Sequence, residues 1–147
     1  MKTTIIGLLL LATASVNAQE KAQTYQLADA PRYSEETGYG YDLVATPEKG
    51  SKAPFFFSVR VPDGNYQVTV RLGSKKQAGV TTVRGESRRL FIDNLATKKG
   101  QFVDETFIIN KRNPRISEKE SVRIKPREKA KLNWDDKLTQ EFNGDAP

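Results

Sequence analysis

The sequence predicts an all-β fold, a β-sandwich of jelly-roll type, and three observations predict it. Apolar and polar residues alternate in short runs, as along half-buried strands. No stretch keeps a helical period over about ten residues or more. Gly, Pro, Asn and Asp separate the runs and supply the turns between strands.

Taken in order, residues 24–28 are a candidate first strand, and Tyr39-Gly40-Tyr41 falls in a loop rich in Gly and charge. Phe55, Phe57, Val59 and Val61 then alternate with Phe56, Ser58 and Arg60. After Pro62-Asp63-Gly64-Asn65, residues Tyr66, Val68, Val70 and Leu72 alternate with Gln67, Thr69 and Arg71. Two such runs around a Pro-Asp-Gly turn predict an antiparallel hairpin. Residues 80–84 and 87–93 read as one long strand broken by a bulge at Gly85. Lys98-Lys99-Gly100 turns into a strand over 102–110; a short one over 122–125 is stopped by Pro126. The last, 137–142, ends at Asn143-Gly144. With no internal repeat, linker or low-complexity tract, one domain is expected.

Residues 1–18 read as a secretory signal. Lys2 opens it, 5–12 form a short apolar core, and Val16-Asn17-Ala18 fits the small-x-small cleavage pattern. Such a core is shorter than the roughly 20 residues that span a bilayer. The mature domain is then 19–147, secreted or periplasmic, with no stable membrane span.

The chain has no His and no Cys, which excludes imidazole bases, thiolate nucleophiles and the usual zinc ligand sets. A calcium loop, a P-loop, a dinucleotide fingerprint and a G-x-S-x-G elbow are also missing. No cofactor, metal or catalytic residue is therefore expected. The formal charge is +6, which in an exported protein suits an acidic polysaccharide or anionic envelope better than nucleic acid; it serves solubility equally well.

Few side chains stand out as contacts. Trp134, the single Trp, offers either a sugar-stacking face flanked by Asn133 and Asp135 or a core or interdomain anchor. Tyr39 and Tyr41 divide the same way. Arg84 and Arg88 share a face of the long strand, and guanidinium forks suit uronate carboxylates. Basic residues recur along the chain, at Lys75, Lys76, Arg84, Arg88, Arg89, Lys111, Arg112, Arg115, Arg123, Lys125 and Arg127, which fits a solvated face as well as a site. Asp135-Asp136 makes a poor catalytic pair, since strand neighbours point to opposite faces. Gly144-Asp145-Ala146 is similar to a Gly-Asp-Ser block but has Ala at the nucleophile position.

Several of these stretches together carry a resemblance. Gly38-Tyr39-Gly40-Tyr41-Asp42-Leu43, Phe57-Ser58-Val59-Arg60-Val61-Pro62-Asp63-Gly64-Asn65-Tyr66 and Glu86-Ser87-Arg88-Arg89-Leu90 resemble bacterial rhamnogalacturonan acetylesterases of the SGNH/GDSL hydrolase class. So do Asn113-Pro114-Arg115-Ile116, Lys125-Pro126-Arg127-Glu128 and Trp134-Asp135-Asp136-Lys137-Leu138-Thr139. The resemblance implies an N-terminal galactose-binding-like β-sandwich ahead of a catalytic SGNH domain acting on acetylated pectin. None of that domain's catalytic residues has a counterpart here. It further implies one more strand after Asn143-Gly144, without which the 137–142 strand would have an open edge. Each large apolar side chain lost with that strand is worth roughly 1.5–3 kcal/mol, so the chain alone is expected to be marginally stable. The expected function is a non-catalytic accessory domain of a secreted esterase, partnered by pectic polysaccharide or the SGNH domain. The alternatives are a free-standing module for acidic pectic chains and a structural brace.

Overall fold

A computed structural model describes residues 22–43, 54–86, 88–128 and 134–145. Residues 1–18, read from the sequence as a signal, lie outside them. The described chain forms seven strands: β1 (Tyr39–Asp42), β2 (Phe55–Arg60), β3 (Gly64–Gly73), β4 (Gly79–Gly85), β5 (Arg89–Thr97), β6 (Phe102–Lys111) and β7 (Lys137–Asp145). Two antiparallel sheets result, one ordered β1-β2-β7-β4-β5 and one made of β3 and β6. All-β architecture with sandwich-like layers is thus as expected, but the pairing is not.

The runs flanking Pro62-Asp63-Gly64 are both strands, yet they do not pair. β2 pairs with β1 and β7, while β3 pairs with β6. Alternation reports which face of a strand is buried and is silent about its neighbour. The turn is a corner between sheets, fixed by the Tyr66 hydroxyl donating to the Pro62 carbonyl at 2.7 Å.

Residues 80–84 and 87–93 are not one strand either. Gly85 and Arg89 face each other in register, so the chain reverses between β4 and β5. Gly85 serves close packing: a Cβ there would meet Ile109 Cδ1 and the Phe91 ring. The irregularity lies further on, where Asn94 has φ 48° and the β4–β5 register shifts.

β7 runs past Asn143-Gly144 to Asp145. Gly144 holds φ 135° where a Cβ would collide with the Val80 carbonyl, so the residue expected to end the strand lets it pass close to β4. β7 is also central, with β2 on one side and β4 on the other. The expected open edge on this strand is absent. β5 borders the larger sheet, and β3 and β6 have only each other as ladder partners among the described residues.

Three smaller expectations change too. Residues 24–28 lead into a short 3-10 turn at Leu27–Asp29, which lies against the sheets rather than within one. Tyr39-Gly40-Tyr41 is edge strand β1, not loop. Residues 122–125 make no strand; an isolated bridge joins Arg115 to Ser121.

The core sits between the sheets. Tyr41, Phe55, Phe57, Val83, Ile92 and Phe142 of the larger sheet pack with Val70 and Leu72 of β3. Phe55 and Phe142, register partners, stack at 5.0 Å. Tyr25, Leu27 and Ala30 cover the β1–β2 side, Tyr25 lying 5.6 Å from Phe57.

The outer face of the larger sheet is polar yet buried at its centre. Ser58 and Thr139, register partners on β2 and β7, are almost wholly buried with their hydroxyls 2.7 Å apart. The Ser58 hydroxyl also supports the Asp42 carboxylate. Ser58→Ala therefore strands the Thr139 hydroxyl and removes one of three supports from Asp42, and is expected to cost about 1–3 kcal/mol. Urea unfolding measures this, and a loss below about 0.5 kcal/mol would show the pair to be dispensable.

Candidate functional site

The densest gathering of charged side chains lies at the root of β7, where the β2–β3 corner, the β4–β5 turn and the end of β6 come near it. Each contributes a group the strand pattern cannot bury without a partner. Lys111, the last residue of β6, points inward and is almost fully buried. Its ammonium meets Asp63 Oδ1 at 2.7 Å, and Asn113 donates to Asp63 Oδ2. Asp63 of the corner thus compensates a buried cation.

Glu86 follows directly on β4, in a left-handed conformation at φ 49°. Its N–H donates to the Thr139 carbonyl and its Oε1 accepts the Thr139 N–H, both at 3.0 Å. The side chain caps the β4–β7 ladder beyond its last register pair. Burial pushes the Glu86 carboxyl up to about 7, and nearby Asp135 adds to this; the Thr139 bond, Arg89 and Lys111 oppose it.

Asp135 caps the start of β7, its Oδ1 accepting the Lys137 N–H at 3.0 Å. Burial raises its carboxyl too. Beside it, Lys137 Nζ bonds Asp42 Oδ2 of β1 at 2.6 Å and lies 4.7 Å from the Tyr33 ring centre. Burial alone would push Asp42 up, but the bonds from Lys137, the Leu43 N–H and Ser58 leave it below the usual carboxylate range. Burial likewise disfavours the Lys137 charge, and Asp42 more than restores it. Among the described residues the buried Tyr33 hydroxyl has no hydrogen-bond partner, and burial pushes its pKa up.

Chemically, Asp42–Lys137 and Glu86–Thr139 tie β1 and the β4–β5 turn to the central strand, and Asp63–Lys111 ties the β2–β3 corner to the end of β6. Among the described residues no group of three or more His, Cys, Asp or Glu is placed to hold a metal ion. None of their helices is long and apolar enough to cross a membrane.

The residues singled out from the sequence are not brought into one site. Trp134 is half-buried just before β7, with the Arg112 guanidinium over its ring at 5.4 Å. That cation–π contact occupies a face a sugar would use. Asp135 is committed to capping β7. Tyr41 is core, its hydroxyl donating to the Leu27 carbonyl at 2.6 Å. Tyr39 packs on Tyr25 at 4.8 Å and lines an open cleft of about 450 Å³ with Gln23, Thr24, Tyr25 and Thr37. Arg84 and Arg88 share no strand face. Arg84 is on β4, paired with its register partner Glu141 at 3.3 Å, whereas Arg88 is exposed in the turn after β4.

Glu86, Lys111 and Asp63 were not legible as a set. The sequence places Glu86 beside a bulge in one long strand, and Lys111 is one of many scattered basic residues. Only the meeting of distant loops makes them partners. No family model, curated protein or solved structure matches the chain.

Proposed function

We propose that the chain is a non-catalytic accessory module of a secreted rhamnogalacturonan acetylesterase-like hydrolase, a jelly-roll sandwich serving an SGNH catalytic domain on acetylated pectin. The observation that carries this is the commitment of the polar cluster at the root of β7. Asp42 pairs with Lys137, Asp63 with Lys111, and Glu86 bonds the Thr139 N–H, so these groups hold neighbouring segments together, and none of these five is a nucleophile paired with a base. The motif resemblance, which runs through β1, the β2–β3 corner, the β4–β5 turn and the start of β7, supports the family reading. The net positive charge supports an acidic substrate polymer.

Two measurements test it. Incubated alone with acetylated rhamnogalacturonan, the chain is expected to release no acetate above background. In native gels containing that polysaccharide at low salt, its migration is expected to be retarded. Ester turnover at enzymatic rates by the purified chain would overturn the non-catalytic half, and unretarded migration the polysaccharide half.

A further inference from the structure

After β6 the described residues 112–128 join neither sheet. From Arg112 to Glu128 the described residues form one isolated bridge, Arg115 to Ser121, closed by backbone bonds from Val122 to Pro114 and from Ile116 to Glu120. A short 3-10 turn follows at Pro126–Glu128. This arm holds Arg112, Arg115, Lys119, Arg123, Lys125 and Arg127 against Glu118, Glu120 and Glu128. Six positive charges against three negative give it +3, half of the chain's formal +6.

The arm's cations differ from five of the framework's. Arg60, Arg71, Arg84, Lys111 and Lys137 each pair with a carboxylate, at Glu35, Asp104, Glu141, Asp63 and Asp42. The six of the arm are all exposed, and among the described residues none of them forms an ion pair of this kind. Ile116 and Val122 are exposed beside them. Arg112 stacks on Trp134 and Arg115 Nε donates to the Ser117 carbonyl, but no carboxylate among the described residues neutralises the six, so their charge is available to a polyanion.

We infer that this arm is the contact surface for an acidic polysaccharide whose charges are carboxylates. The inference rests on the module reading above and moves the binding surface away from Arg84 and Arg88. Guanidinium forks match carboxylates in shape and charge. A single-stranded nucleic acid would instead ask for exposed aromatic planes among the charges, and residues 112–128 contain no aromatic side chain.

The test uses the whole chain with polygalacturonate as probe, in native gels at low salt. Arg123→Gln/Lys125→Gln/Arg127→Gln is expected to weaken the apparent affinity about tenfold, the sum of three modest exposed contacts. Lys75→Gln/Lys76→Gln/Lys99→Gln removes the same charge from exposed sites elsewhere and is expected to change it less than about twofold. Methyl-esterified polygalacturonate should not retard the wild type. Equal losses in the two triple variants, or retention that survives esterification, would overturn the inference. Retardation by single-stranded DNA but not by polygalacturonate would assign the arm to nucleic acid instead. Wild-type retardation by polygalacturonate that the arm variant leaves intact removes the arm but spares the module reading. Absence of retardation by either pectic polymer removes both.

Discussion

Replacing Ile109 with alanine is expected to lower stability by about 3–4 kcal/mol, a large share of the roughly 5–15 kcal/mol that holds an ordinary domain. Ile109 is fully buried on β6, the strand that closes the smaller sheet over the larger one. Its Cδ1 fills the space left by the absent side chain of Gly85 on β4. A two-stranded sheet has few such contacts, and two strands alone are marginal in water. Gly85→Ala, which drives a methyl into Ile109 Cδ1 and the Phe91 ring, is expected to cost about 1–3 kcal/mol. Ile109→Val removes the obstructing Cδ1, so the double variant should lose less than the two single losses combined. Guanidinium unfolding of the wild type, the three single variants and the double variant checks both points. Strict additivity would mean that the sheets do not interlock at this contact.

Glu86→Gln is expected to stabilise the protein at pH 8 by about 2–3 kcal/mol, or roughly 10 °C in Tm. The folded-state pKa of Glu86 is raised from 4.5 to about 7. A raised carboxyl pKa means that the folded state binds its proton more tightly than the unfolded one. Its stabilising effect is therefore complete below pH 4.5 and is lost as pH climbs through about 7. Glutamine keeps the acceptor for the Thr139 N–H without the buried charge. The variant's Tm should vary less than the wild type's between pH 5 and 8. A lower Tm for the variant at pH 8 would show that the carboxylate is held charged and satisfied. Asp42 works in the opposite sense: its lowered pKa contributes stability above the usual carboxylate pKa that is lost as pH falls through the folded value. Maximum stability should accordingly lie on the mildly acidic side of neutral.

Strand content was readable because alternation is local. Phe55, Phe57 and Val59, and then Val68, Val70 and Leu72, face inward as their period demands. Pairing was not readable, because β2 and β3 have equally good apolar faces and a turn that suits a hairpin as well as a corner. The contact residues fared worse. Tyr41 and Trp134 have the same aromatic character whether they face solvent or core, and Arg84 found Glu141 across 57 positions of sequence. The basic arm was visible only as scattered charges until the absence of ladders around it set it apart from the paired cations of the sheets.

The sequence by itself determined an all-β chain, the lack of imidazole and thiol chemistry, and a surplus of positive charge. These follow from side-chain type and near neighbours. Only the tertiary structure decided that β7 lies at the centre of a five-stranded sheet, that the corner at Pro62 separates rather than joins two strands, and that Lys111 and Glu86 are buried with partners. Ladder hydrogen bonds and buried charge pairs join residues far apart in the chain, and their energies depend on which surfaces meet, which no local pattern specifies.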